Sequence, residues 1–217
     1  MTPPFPRAHP LGDSAVTIYL GAEQSTELLD RVHRTARALR NTHFDDVLDI
    51  VPSYLGVTVF YDPRRATYRE METRILEACH SIQTTPTPDG ANRTHLIEVV
   101  YDGPDLPTIA ERTAMSVDKV VELHSSQEYR VDLLGFVPGF AYLSTVPEAL
   151  QLPRRDQPRP RVRAGSVAVA GTQTGVYPLD TPGGWHILGR TSTVMFDVTR
   201  DEPALLRPGD TVKFQPT

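Results

Sequence analysis

AGSVAVAGTQTGVYPLDTPGGWHILGRT, residues 164–191, decides the fold of the C-terminal half. Residues 166–170, 174–177 and 185–189 are short runs rich in β-formers, and Gly and Pro separate them. Working outward, similar runs lie at 129–134, at 194–198 and at 211–215, the last after the turn Pro208-Gly209-Asp210. Many short strands at such intervals predict a closed or nearly closed β-barrel. The prolines crowd into 147–182, which argues for strands and ordered loops there rather than long helices.

The same half holds the residues that could carry chemistry. Gln173 is expected in the turn between two strands, where its amide can donate and accept. Pro182-Gly183-Gly184 precedes Trp185, the only tryptophan, so exposed amides and a flat ring would share one turn. That pairing suits a small planar amide or an anion, although a lone tryptophan is also good core. Ser166 has no base beside it and reads as structural. LPRRDQPRPRVR, residues 152–163, sets five arginines against one acid, Asp156. Arginine forks onto carboxylates and phosphates, and proline stiffens the loop that presents it. The alternative is a solvated loop paired with surface acids. LGFVPGFAYL, residues 134–143, mixes Gly135, Pro138 and Gly139 with Phe136, Phe140 and Tyr142, as a ligand wall or a tight barrel corner would. His124 ends the helical run VDKVVELH, where its charged form suits the dipole. The functional alternative is a general base near the barrel mouth.

Upstream the pattern differs. A strand at 15–20 is followed by a helix that Ser25 or Thr26 caps, with Leu28, Leu29, Val32, Ala36 and Leu39 on one face. Strands at 47–51 and 54–61 precede a second amphipathic helix carrying Tyr68, Met71, Ile75, Leu76, Cys79 and Ile82. This order predicts a small α+β domain over 1–88, ferredoxin-like in arrangement. The polar segment 84–93 is the predicted boundary, and 89–217 forms the second domain. A strand at 95–101 opens that domain, and 105–124 reads as one or two helices with Ser116 as a cap.

Composition excludes several functions. The 217 residues carry 22 basic and 27 acidic side chains, a formal charge of -5, which gives no basic field for nucleic acid. No apolar run is long enough to span a membrane and no signal core opens the chain, so neither membrane nor secretion is expected. The single cysteine, Cys79, permits no intrachain disulfide and fits a reducing, cytoplasmic setting. It lies on an apolar helix face and reads as a buried thiol. There is no P-loop, dinucleotide fingerprint, HExxH or nucleophile elbow, and the seven histidines lack metal spacing, so no metal is predicted.

LHSSQEYRVDLLGFVPGFAYL, LPRRDQPRPRVRAGSVAVAG and QTGVYPLDTPGGWHILGRT, with the ending LLRPGDTVKF, form an ordered set over about 124–214. The set resembles the C-terminal half of the family that unites the 5-oxoprolinase B-type subunit, allophanate hydrolase subunit 1 and a kinase inhibitor. GDSA at 12–15 and the order of elements carry the looser resemblance of the N-terminal half. The resemblance implies an α+β N-terminal domain and a cyclophilin-like β-barrel. It implies a partner of the subunit-C, or allophanate hydrolase subunit 2, type, since members resemble one half of the carboxyltransferase region of urea carboxylase. The amidase chemistry behind the allophanate hydrolase label resides in an unrelated domain. In the 5-oxoprolinase system a further protein, the A-type subunit, completes an ATP-dependent lactam hydrolase, and another branch inhibits a sporulation sensor histidine kinase.

Three functions follow: a 5-oxoprolinase subunit inactive by itself, a kinase-inhibiting binding module, and half of a biotin-dependent carboxyltransferase. The chain holds no M-K-M segment, so biotin would come from another protein. For the first, Arg154 or Arg161 would anchor the carboxylate of a small amide substrate. Gln173 and the Gly183 and Gly184 amides would donate to a developing oxyanion, and His124 would transfer a proton. Phe140, Tyr177 and Trp185 would line the substrate. The resemblance implies ATP in the complex, bound elsewhere or at a non-standard site, with a partner as the candidate location.

Overall fold

The computed structural model describes residues 5–84 and 92–217, and the chain divides into two compact units, 1–91 and 92–217. The boundary predicted at 88/89 and the side chain of Ile82 lie outside the described residues.

The first unit runs β1 (Arg7–Pro10), β2 (Ala15–Tyr19), α1 (Thr26–Asn41), β3 (Val47–Pro52), β4 (Gly56–Tyr61) and α2 (Tyr68–Thr84). Its sheet has the order β1-β2-β4-β3 and is antiparallel throughout. Ser25 starts α1 as expected, accepting the Leu28 amide at 3.1 Å. Strand alternation sends Val16, Ile18, Val57 and Val59 to one face, where they pack with Leu28, Val32 and Leu39 of α1 and Met71, Ile75 and Cys79 of α2. Cys79 is buried, and burial pushes its thiol up to about 11.

The second unit runs β5 (Thr94–Val99), α3 (Leu106–Thr113), α4 (Val117–Ser125), β6 (Glu128–Leu134), β7 (Ala141–Ser144), β8 (Arg159–Val162), β9 (Ser166–Ala170), β10 (Gln173–Val176), β11 (Thr181–Gly183), β12 (His186–Arg190) and β13 (Thr211–Pro216). Seven of its strands make one sheet, β12-β9-β10-β7-β6-β13-β5, antiparallel except for β13 against β5. Paired amide bonds of 2.9 Å between Val100 and Arg190 join its two ends, so the barrel is nearly closed. The remaining strands, β8 and β11, form a separate ribbon. The stretch 105–124 is two helices, because Ala114 adopts a left-handed φ of 53° and Ser116 caps the second through the Lys119 amide.

The strand predicted at 194–198 is absent. Only Phe196 makes a bridge, to Ala204, and Asp197 turns the chain by accepting from the Thr199 amide and hydroxyl. Conversely β1, β7, β8 and β11 carry no local strand signal strong enough to predict them; each gains its conformation from a partner strand.

Candidate functional site

The barrel wall has two apolar faces. Val167 and Val169 of β9 point into the main core, while Ala168 and Ala170 point to a second cluster with Phe140, Val162, Tyr177, Trp185 and Ile187. Small residues make room there. A Cβ on Gly175 would lie 2.8 Å from the Ala141 carbonyl oxygen and 3.2 Å from Phe140 Cζ, so the ring lies directly across the strand. Phe140 meets Trp185, Tyr177 and Tyr142 edge-on at centroid distances of 5.4, 5.4 and 5.0 Å. A Cβ on Gly183 would come within 2.3 Å of the Tyr177 hydroxyl.

The structure therefore gathers Phe140, Tyr177, Trp185 and Gly183, residues far apart in the chain. It also corrects their expected exposure: Phe140, Tyr177 and Trp185 are buried in a packed cluster rather than presented as open walls. Phe136, edge-on to Phe140, is 58% exposed and held at φ 70° by the tight loop Gly135–Gly139. The Gly184 carbonyl accepts the Arg155 amide at 2.8 Å. Gln173 is the first residue of β10 rather than a turn residue, opposite Ala170 on one side and Ser144 on the other, and is half-buried.

The arginines separate into two groups. Arg161 is 73% exposed and is tied to Asp180, its Nε 2.8 Å from Oδ2, while the Ala164 amide donates to the other oxygen. It braces a surface turn instead of facing Trp185. Arg154 is exposed, and its charge reaches the Tyr177 hydroxyl together with that of Arg159. Arg155 and Arg159 converge on Asp105. Arg155 Nη1 and Arg159 Nη2 each donate to Oδ1 at 2.8 Å, and the Ile187 amide donates to Oδ2 at 2.7 Å. Burial pushes the Asp105 carboxyl up, but the Arg159 and Ile187 hydrogen bonds and both arginine charges outweigh it and hold the carboxyl below the usual range. Nothing in the local sequence singles out Asp105. It lies 50 and 54 residues from its arginines and in its own segment is only the residue before a helix.

His124 is elsewhere. It is 0% exposed, inside the barrel core, and stacks on Phe214 at 4.7 Å. The Thr174 hydroxyl donates to the Ala168 carbonyl at 3.0 Å, so it accepts from His124 Nε2 at 2.8 Å. His124 Nδ1 then accepts from the Tyr101 hydroxyl at 2.7 Å. Burial lowers its pKa to about 3, so the ring is neutral and both nitrogens are engaged. A charged histidine complementing the helix dipole, or a base at the barrel mouth, does not fit this position.

Among the described residues no group of three or more His, Cys, Asp or Glu is placed to hold a metal ion, and no helix is long and apolar enough to cross a membrane.

The barrel with its α+β companion unit is the fold of a known family. Residues 6–206 match the family described as carboxyltransferase domain, subdomain C and D, and the chain belongs to it. Within it, the chain is 42% identical over 217 residues to the 5-oxoprolinase B-type subunit of Escherichia coli O157:H7, covering 97% of this chain and 95% of that one. It is 36% identical over 221 residues to the corresponding 5-oxoprolinase subunit of Bacillus subtilis (strain 168), covering 94% and 90%. The solved structure of TTHA0988 superposes with a TM-score of 0.82 at 42% identity; the match covers 94% of this chain but 40% of that longer one.

Proposed function

We propose that this chain is the B-type subunit of an ATP-dependent 5-oxoprolinase, which opens 5-oxoproline to glutamate together with a subunit-C-like, or allophanate hydrolase subunit 2-like, partner and an A-type subunit. The carrying observation is the 42% identity to a B-type 5-oxoprolinase subunit over 97% of the chain. The length of TTHA0988, of which this chain matches 40%, supports a second polypeptide completing the site.

The chemistry sets the requirements. A five-membered lactam resists water because its amide is resonance-stabilised. Transfer of the ATP γ-phosphoryl group to the lactam oxygen, with ADP leaving, would make the carbon electrophilic; one water would add there and the ring C–N bond would break to give an acyl phosphate, which a second water would split to glutamate and phosphate. This chain would hold the substrate and offer donors to the developing oxyanion. Exposed Arg154 and the half-buried Gln173 are its groups of the right kind. His124, buried with both ring nitrogens engaged, is not the group that transfers the proton. The nucleotide is assigned to a partner, since no P-loop occurs in this sequence.

The test is reconstitution. The purified chain mixed with its C-type and A-type partners should release glutamate from 5-oxoproline only when ATP is present, and the chain by itself should release none. A complete mixture that turns over no 5-oxoproline defeats the proposal.

A further inference from the structure

We infer that Arg155 and Arg159, held by Asp105, form a carboxylate-binding subsite beside Trp185, whose ligand is a small cyclic amide carrying a carboxylate. The ligand class rests on the function proposed above; the subsite itself rests on charge and hydrogen-bond accounting.

Two guanidinium cations face one carboxylate, so the cluster keeps one unit of positive charge. It does so where solvent screens poorly: the Arg155, Arg159 and Asp105 side chains are 31%, 23% and 4% exposed. Most of Asp105's accepting capacity is used, because Oδ1 takes both arginines and Oδ2 takes the Ile187 amide. Donors remain. Arg155 Nε and Arg159 Nη1 are buried, and no acceptor among the described residues meets them. A guanidinium carries five N–H groups in a planar fork that matches a carboxylate, and here each spends one on Asp105.

A purely structural clamp between residues 105, 155 and 187 needs one arginine and would be neutral. The second makes the cluster cationic, while the exposed flanking residues Arg154 and Asp156 offset each other in charge. Asp105 thus acts as a positioning residue. It fixes two otherwise flexible side chains before any ligand arrives, which lowers the entropy cost of binding. The neighbouring sequence orders the same place: the Arg155 amide is bonded to the Gly184 carbonyl, next to Trp185.

Trp185, the only tryptophan, makes its own emission the readout. Three probes are titrated into the full chain and into its complex with the C-type partner: 5-oxoproline, 2-pyrrolidinone (the same ring without the carboxylate) and acetate. The expected result is saturable binding of 5-oxoproline, about ten-fold or more tighter than 2-pyrrolidinone, as a charge-assisted pair requires. Acetate should compete with 5-oxoproline. Arg159→Met should erase the preference and leave 2-pyrrolidinone unchanged. Arg190→Ala, which removes the same charge from an exposed pair with Asp102, should alter neither. If Arg159→Met fails to fold, Arg159→Lys carries the test: it keeps the charge beside Asp105, loses the fork, and should weaken the carboxylate ligand alone by several-fold. Equal affinity for 5-oxoproline and 2-pyrrolidinone, no saturable binding of 5-oxoproline to chain or complex, or unchanged discrimination in the variant that folds overturns the subsite. ATP-dependent turnover without discrimination would sink the subsite and leave the proposed function standing; discrimination without turnover would do the reverse.

Discussion

Acidification from pH 7 to about 4.5 is expected to destabilise the barrel through one side chain, His124. Its imidazole is enclosed by Tyr101, Tyr129, Phe214 and Thr174, and burial brings its pKa from 6.5 to about 3. Between those values the unfolded chain binds a proton that the folded chain refuses, so this contribution is untouched above pH 6.5 and is lost progressively as pH falls toward 3. Each unit inside the window costs a little over 1 kcal/mol, so reaching about pH 4.5 removes roughly 3 kcal/mol. That is a large fraction of a typical domain's stability. The assay is urea denaturation at both pH values, followed by Trp185 emission, which reports the unit that contains His124. Carboxylates also titrate in this range, so the comparison is with His124→Gln, which keeps an amide near the two hydroxyls and cannot titrate. The wild type should lose roughly 3 kcal/mol more than the variant over the interval. Equal losses, or a His124 ring-proton titration centred near its ordinary value, would refute the argument.

Other substitutions test the rest of the frame. Asp105→Ala leaves two partly buried guanidinium groups without their shared acceptor and should cost roughly 3 kcal/mol by urea denaturation; a loss below about 0.5 kcal/mol would mean that the hub contributes nothing. Gly175→Val forces side-chain atoms onto the Ala141 carbonyl and the Phe140 ring and should cost about 2 kcal/mol while shifting Trp185 emission, whereas an unchanged spectrum and melting temperature would contradict the packing described. Ser25→Ala and Ser116→Ala each remove an N-cap and should each cost about 1 kcal/mol, measured by chemical denaturation.

What could be read early depended on the range of the force involved. Ser25 and Ser116 act on an amide three residues ahead, so their caps are visible in the sequence. The alternation of Val167, Ala168, Val169 and Ala170 is local in the same way and marked β9, although nothing in it says that the alanine face carries a second cluster. The segment 194–198 has strand-like composition and no partner strand, so it stays a loop with Val194 and Val198 exposed. The proline-rich 159–162 lacks that composition and becomes β8 because β11 lies alongside it.

The residues themselves determined two kinds of domain, one helical and sheet-like in alternation and one made of short strands, and they determined which side chains have chemistry to offer. The tertiary structure alone decided which of those side chains meet. His124 and Arg161 were both plausible ligand groups by type, yet closure of the barrel put the first in the core and Asp180 tied down the second. Asp105, unremarkable in its own segment, became the anchor for two arginines because α3 begins beside β12. Burial and ion pairing depend on groups brought close by chain crossings dozens of residues apart, and no local pattern encodes those distances.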